Sequence, residues 1–323
     1  MQQLQAKEGK ANTPLQSPLR QAAPGVYYKR ILFVNIALIG EPGEPWVLVD
    51  TGLPGYTGTI LEAAETLHGP NARPEAILLT HGHFDHVGSL EALLEHWPGV
   101  PVYAHELELP YLKGKSSYPP PDPTVGGGIM PIASLTFPRG PIDIGGRVKE
   151  LPSGGRVPGI DGWQWLHTPG HAPGHVSFWR GKDKVLVAGD VVVATKQESA
   201  YAVATQTPEL HGPPKYFTQD WIAARQSAEK VAKLRPRVLI TGHGPALSGP
   251  DVAIELEDLA RHFVKRAVPK DGRYVRKPAK FSTHGVEYIP PTILPSWQKA
   301  GSAIGIAAIA FSLLGMLLMK DDK

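Results

Sequence analysis

From Val26 onward the chain alternates short apolar runs with turns. ILFVNIALIG (31–40) and PWVLVDTG (45–52) are predicted strands, joined by a Gly/Pro/Glu turn. TGTILEAAETL (57–67) is a predicted helix with Ile60, Leu61, Ala64 and Leu67 on one face. AILLT (76–80) is a predicted buried strand. SLEALLEHW (89–97) is a predicted helix with a stripe of Leu90, Leu93, Leu94 and Trp97, and PVYAH (101–105) is another strand. Strands are expected again at 146–151, 163–167, 176–179 and 184–190. TQDWIAARQSAEKVAKL (218–234) reads as a helix with Thr218 as N-cap. RVLITGHG (237–244) is a strand, and 251–267 a last helix. The alternation of strands and helices predicts an α/β fold.

Residues 110–141 break this rhythm, with too much Pro and Gly for regular structure. So long a loop inside a compact domain points to function. It is expected to form a substrate lid whose apolar wall includes Tyr111, Tyr118, Ile129, Met130 and Phe137, with Tyr118 and Met130 at the substrate.

The two ends differ in character. Residues 1–25 read as a disordered segment with no apolar leader. Near the other end, Ser302–Met319 is uncharged. At about 1.5 Å per residue it reaches roughly 27 Å, close to the hydrocarbon thickness of a bilayer. The expected organisation is a disordered segment 1–25, a catalytic domain 26–267, a basic linker 268–300 and a single-pass transmembrane helix 301–319. Gly301 and Gly305 stand at a spacing that would pack two such helices into a homodimer. Lys/Arg enrichment before the anchor would place the catalytic domain in the cytoplasm.

Charge narrows the partners. The net charge is +3, but Arg261 to Lys280 holds eight Lys/Arg and only Asp271 as an acid. The rest keeps 25 of the 33 bases and 29 of the 30 acids, so it is mildly acidic. A nucleic-acid partner is not expected. The absence of cysteine excludes disulfides and thiolate metal sites.

Four apolar strands end in polar groups: VLVDTG at Asp50, AILLTHGHFDH at His81 to His86, VLVAGD at Asp190 and VLITGHG at His243. Ligand sites of α/β sheets lie at the carboxyl ends of strands, so these groups should share one rim. HTPGHAPGH (167–175) adds three histidines on a loop that Pro169, Gly170, Pro173 and Gly174 keep from being helical. Burying the 81–86 cluster without a cation would be costly. Imidazole and carboxylate donors suit zinc, iron or manganese. His81 and His83 fall on one side of an extended segment and can share a metal. Asp85 and His86 can reach a second, His171 and His243 would each complete a site, and Asp190 would bridge. His68, His96, His105, His211, His262 and His284 are left as ordinary structural or solvated side chains.

THGHFDHVGS resembles the HxHxDH signature of the metallo-β-lactamase superfamily, and VDTG, TPGH, GD and GHG follow in the family's order over about residues 26–265. The resemblance implies an αββα sandwich with a dinuclear site on its edge, most simply two zinc ions, with manganese or iron as substitutes. It places His81, His83 and His171 on one metal, Asp85, His86 and His243 on the other, Asp190 between them, and Asp50 and His175 behind the ligands. A shared hydroxide would attack the carbonyl of a small-molecule substrate, with Asp85 shuttling a proton. HTPGHAPGHVSF is most similar to the glyoxalase II and lactonase group, hydrolases of thioesters and lactones. However, the tyrosine that some lactonases carry soon after the bridging Asp is missing, since the first after Asp190 is Tyr201. The glutathione-binding basic residues of glyoxalase II are not recognisable either. An iron-dependent dioxygenase of the same fold and a phosphodiesterase are the alternatives.

Overall fold

The computed structural model describes residues 17–292. Twelve strands form two stacked sheets. The first sheet follows chain order: β1 (Arg20–Ala23), β2 (Val26–Ile31), β3 (Val34–Ile39), β4 (Val47–Val49), β5 (Ala76–Leu78), β6 (Val102–Ala104) and β7 (Val148–Glu150). Strands β1 to β4 pair antiparallel, and β4 to β7 run parallel. The second sheet contains β8 (Gln164–His167), β9 (Val176–Arg180), β10 (Val185–Gly189), β11 (Val238–Thr241) and β12 (Leu247–Ser248), in the order β12-β11-β10-β9-β8. Only β10 and β11 pair parallel in it.

The period-2 alternation of each strand sorts its side chains into separate cores. Ala37, Ile39, Val47, Val49, Ala76 and Leu78 face Phe178, Val185, Val187 and Ile240 between the sheets. Ile36, Leu38, Leu48 and Ile77 face outward, under Ile60, Ala64, Leu90, Leu93 and Leu94. These come from the helices Thr57–His68 and Leu90–His96, whose apolar residues recur at helical spacing. On the far side, Leu186, Ala188 and Leu239 meet the helices Trp221–Ala232 and Asp251–Arg261. The layers are therefore α, β, β, α. A fully buried leucine such as Leu93 holds its layer strongly, since truncation to Ala costs about 2–5 kcal/mol.

Several expectations are corrected. The predicted strand 31–40 is interrupted by a tight turn at Leu32 and Phe33, with Leu32 left-handed at φ 56°. The cap of Trp221–Ala232 is Asp220, whose carboxylate accepts from the Ile222 and Ala223 N–H groups. Thr218 donates instead to the Pro214 carbonyl. Strand β1 begins inside the stretch 1–25 expected to be disordered, of which residues 1–16 lie outside the described residues. Within the expected linker 268–300, the described residues 268–292 carry the helix Arg273–Arg276 and the hairpin of Lys280–Ser282 with Gly285–Tyr288.

The membrane anchor and the localisation drawn from it are also corrected. Among the described residues no helix is long and apolar enough to cross a membrane. The longest have 12 residues, about 18 Å, well short of a bilayer core. The stretch 301–319, including Gly301 and Gly305, lies outside the described residues.

Candidate metal centre

Strands β4 and β5 run parallel, as do β10 and β11, so their carboxyl ends bring Asp50, His81, Asp190 and His243 to one rim. His81, His83 and His171 converge: His83 Nδ1 lies 2.9 Å from His81 Nε2 and 3.0 Å from His171 Nε2. Asp85, His86 and His243 form a second group, with His243 Nε2 3.5 Å from Asp85 Oδ2. Asp190 Oδ2 stands between the groups, 3.4 Å from His171 Nε2, 3.1 Å from His243 Nε2 and 3.7 Å from His86 Nε2. All seven side chains are buried.

Neighbouring groups decide which ring nitrogen faces the centre. Asp50, left-handed at φ 59°, accepts from the Thr80 N–H and hydroxyl and lies 2.8 Å from His86 Nδ1. The Phe33 carbonyl takes His243 Nδ1–H at 2.8 Å. Both histidines thus turn Nε2 inward. The Asp190 N–H donates to His175 Nε2 at 2.8 Å, so His175 steadies the Asp190 backbone and spends that nitrogen there. Its Nδ1 is 2.9 Å from Thr168 Oγ1.

Electrostatics separates the groups. Burial, reinforced by neighbouring imidazoles, holds His81 and His83 well below the usual histidine range. Burial also presses against a charged His86, but Asp50, Asp190 and Asp85 outweigh it and hold that ring well above its ordinary value. Asp190 stays well below the carboxylate range because His243 and His86 overcome its burial.

The residues fit a cation. His86 Nε2 and Asp190 Oδ1 are buried without a hydrogen-bond partner. Such orphaned groups are expensive unless something binds them. Three sets of ligand atoms, His81/His83/His171, His81/His86/Asp190 and Asp85/His86/His243, each lie within 4.8 Å of one another. Gly242 closes the floor, where a Cβ would sit 2.0 Å from Asp190 Oδ1.

A model of the metallo-beta-lactamase superfamily matches residues 30–243. The chain belongs to that superfamily. It is 46% identical over 245 residues to the probable metallo-hydrolase YflN of Bacillus subtilis (strain 168), covering 75% of this chain and 92% of that protein. It is 28% identical over 160 residues to the hydroxyacylglutathione hydrolase GloC of Haemophilus influenzae, covering 49% of this chain and 66% of that one. In three dimensions it is similar to a B3 metallo-beta-lactamase with an active-site glutamic acid, with TM-score 0.54, 20% identity and coverage of 77% and 90%. That likeness shows the fold. The chain is a metallo-hydrolase of the metallo-beta-lactamase superfamily.

Beside this cluster runs a narrow cleft, lined by Phe33, Met130, Phe137, Gln197, Tyr216 and Phe217. Met130 and Phe137, from the stretch 110–141, line this cleft. Tyr118 does not line the cleft: it is buried behind His83, its ring 4.4 Å from that imidazole and 3.9 Å from the stacked Tyr111. Ile129 is exposed.

Two residues escaped the sequence reading. Gln197 is buried on the cleft wall with Nε2 unpaired. Glu108 is fully buried and accepts from Gly82 N–H, Gly174 N–H and the Tyr118 hydroxyl. Burial pushes it up to about 7, against those hydrogen bonds. Its one sequence signal is a glutamate in the apolar run HELELPYL, directly after a strand.

Proposed function

We propose that this chain is a dinuclear hydrolase, with zinc as the first candidate, that cleaves an ester-like carbonyl of the thioester or lactone class. The observation that carries this reading is two convergent ligand groups with Asp190 between them, in which His86 Nε2 and Asp190 Oδ1 are orphaned. His81, His83 and His171 would hold one cation and Asp85, His86 and His243 the other, with Asp190 lying between the two groups. Bound together, two divalent cations supply an activated water and a Lewis acid for the target oxygen. Manganese or iron would accept the same donors.

The remaining work belongs to the chain. Asp50 fixes the His86 tautomer and His175 steadies Asp190. Asp85 borders the cleft and shuttles a proton. Phe33, Met130, Phe137 and Phe217 exclude water from the acyl portion, and the free Gln197 amide anchors a substrate oxygen. The hydroxyacylglutathione hydrolase relative supports a thioester.

The test is metal content by plasma emission on protein purified without added metal, together with turnover of thioester, lactone and phosphodiester substrates. Two zinc equivalents with thioester or lactone turnover are expected. About one iron with oxygen uptake overturns the reading in favour of a dioxygenase, an alternative that His81, His86 and Asp190 keep in view as two imidazoles and a carboxylate.

A further inference from the structure

We propose that Glu108, together with Tyr118, is a positioning clasp that locks the two histidine loops against each other and so sets the all-imidazole position. The inference rests on the metal reading above. Gly82 lies between His81 and His83, and Gly174 lies between His171 and His175. Glu108 Oε1 accepts from Gly174 N–H at 2.7 Å, and Oε2 accepts from Gly82 N–H at 2.9 Å and from the Tyr118 hydroxyl. One side chain from a third segment thus spans two loops 92 residues apart in sequence.

The clasp accounts for both glycines. A Cβ at Gly82 would stand 2.7 Å from the Tyr118 oxygen, and one at Gly174 would stand 2.8 Å from Glu108 Cγ. Any larger residue pushes the carboxylate out of reach. Gly82 has no positive φ, and neither has Gly174, so close approach rather than backbone freedom is what demands glycine there.

The chemistry suits positioning rather than catalysis. Glu108 belongs to none of the candidate ligand groups, and its oxygens are occupied by peptide N–H and phenol donors. A buried carboxylate is costly, and three donors aimed at it offset the cost. Tyr118 extends the clasp to His83 by packing its ring on the imidazole. Partners behind metal ligands typically govern metal affinity by about 10–100-fold.

The test is Glu108→Gln. The amide oxygen stays where two donors meet it, Gly82 N–H and the Tyr118 hydroxyl, and the NH₂ faces Gly174 N–H, so the Gly174 loop is released. Stepwise zinc affinities by chelator competition should show one equivalent weakened by about 10–100-fold and the other unchanged. The weakened equivalent should be the one that His83→Ala also removes. Amide exchange at Gly174 should quicken. Equal weakening of both equivalents with a lower Tm indicates a purely structural role and overturns the proposal, as do wild-type affinities for both. If Glu108→Gln does not fold, Tyr118→Phe removes one donor and should weaken the same equivalent several-fold; no change overturns the clasp. If the wild type binds no zinc, the metal reading fails by itself. The clasp is then decided by Gly174 exchange in the metal-free protein, where protection that Glu108→Gln abolishes supports it and absent protection overturns it.

Discussion

The two candidate metal positions lie side by side yet are held in different ways. At Asp85, His86 and His243 the rings are steered one at a time: Asp50 takes His86 Nδ1 and the Phe33 carbonyl takes His243 Nδ1. At His81, His83 and His171 the backbone is steered, by Glu108 reaching the peptide groups of both loops. The reason lies in what carries the ligands. His86 sits in the short helix Phe84–Val87 and His243 lies one residue beyond β11, after Gly242, so their main chains are fixed and only the rings need direction. His171 sits in TPGHAPGH, a loop without helix or strand hydrogen bonds, so its peptide path must be fixed first. The positions also differ in charge, since carboxylates surround the first and only imidazoles form the second.

The largest expected effect erases this contrast. Asp190→Ala removes the group common to both positions. Metal content should fall below one equivalent, and turnover should fall by more than the ~100-fold that loss of an outer partner costs. Retention of two equivalents would show that the positions are independent of Asp190. The contrast sharpens with a pair of variants. His83→Ala and His243→Ala should each lose one equivalent and leave the other within a few-fold of its wild-type affinity, measured by the same competition titration. Simultaneous loss of both metals in either variant would mean a single cooperative site.

How much of this could be read in the sequence follows from where the information resides. The 81–86 spacing and the ligands at strand ends need only the alternation of a strand and the direction of a sheet, so the cluster was legible from the residues, whereas the αββα layering came from the resemblance of THGHFDHVGS and its companion motifs to the superfamily. Glu108 was not, because its meaning depends on glycines 26 and 66 residues away. Asn35 was not either: it is buried in β3 and donates to the carbonyls of Thr241 and Gly244 more than 200 residues on. The turn at Leu32 and Phe33 hid inside one apolar run, yet it delivers the carbonyl that orients His243. Tyr118 misled because a tyrosine in a lid suggests a substrate, whereas its hydroxyl belongs to Glu108.

The smallest effect serves as a control outside both positions. His105 stacks on His167 at 4.0 Å, and burial lowers its pKa from 6.5 to about 4. The folded value lies below the unfolded one, so the unfolded chain takes up this proton first. The contribution of His105 is complete above about pH 6.5 and is lost as pH falls toward 4. His105→Phe should therefore lose less stability than the wild type between about pH 7 and pH 5, read by urea denaturation at each pH. An unchanged slope would remove His105 from the acid response.

The order of the strands has a consequence for how the molecule comes into being. One sheet is woven entirely from residues 20–150 and the other entirely from 164–248. Each is contiguous in the chain, so each half can assemble from its own neighbours without waiting for the other. The ligands are divided between them: His81, His83, Asp85 and His86 belong to the first half, and His171, Asp190 and His243 to the second. The centre therefore exists only after the halves have met. A cation captured there would act as a staple across the two halves, raising the barrier to separating them.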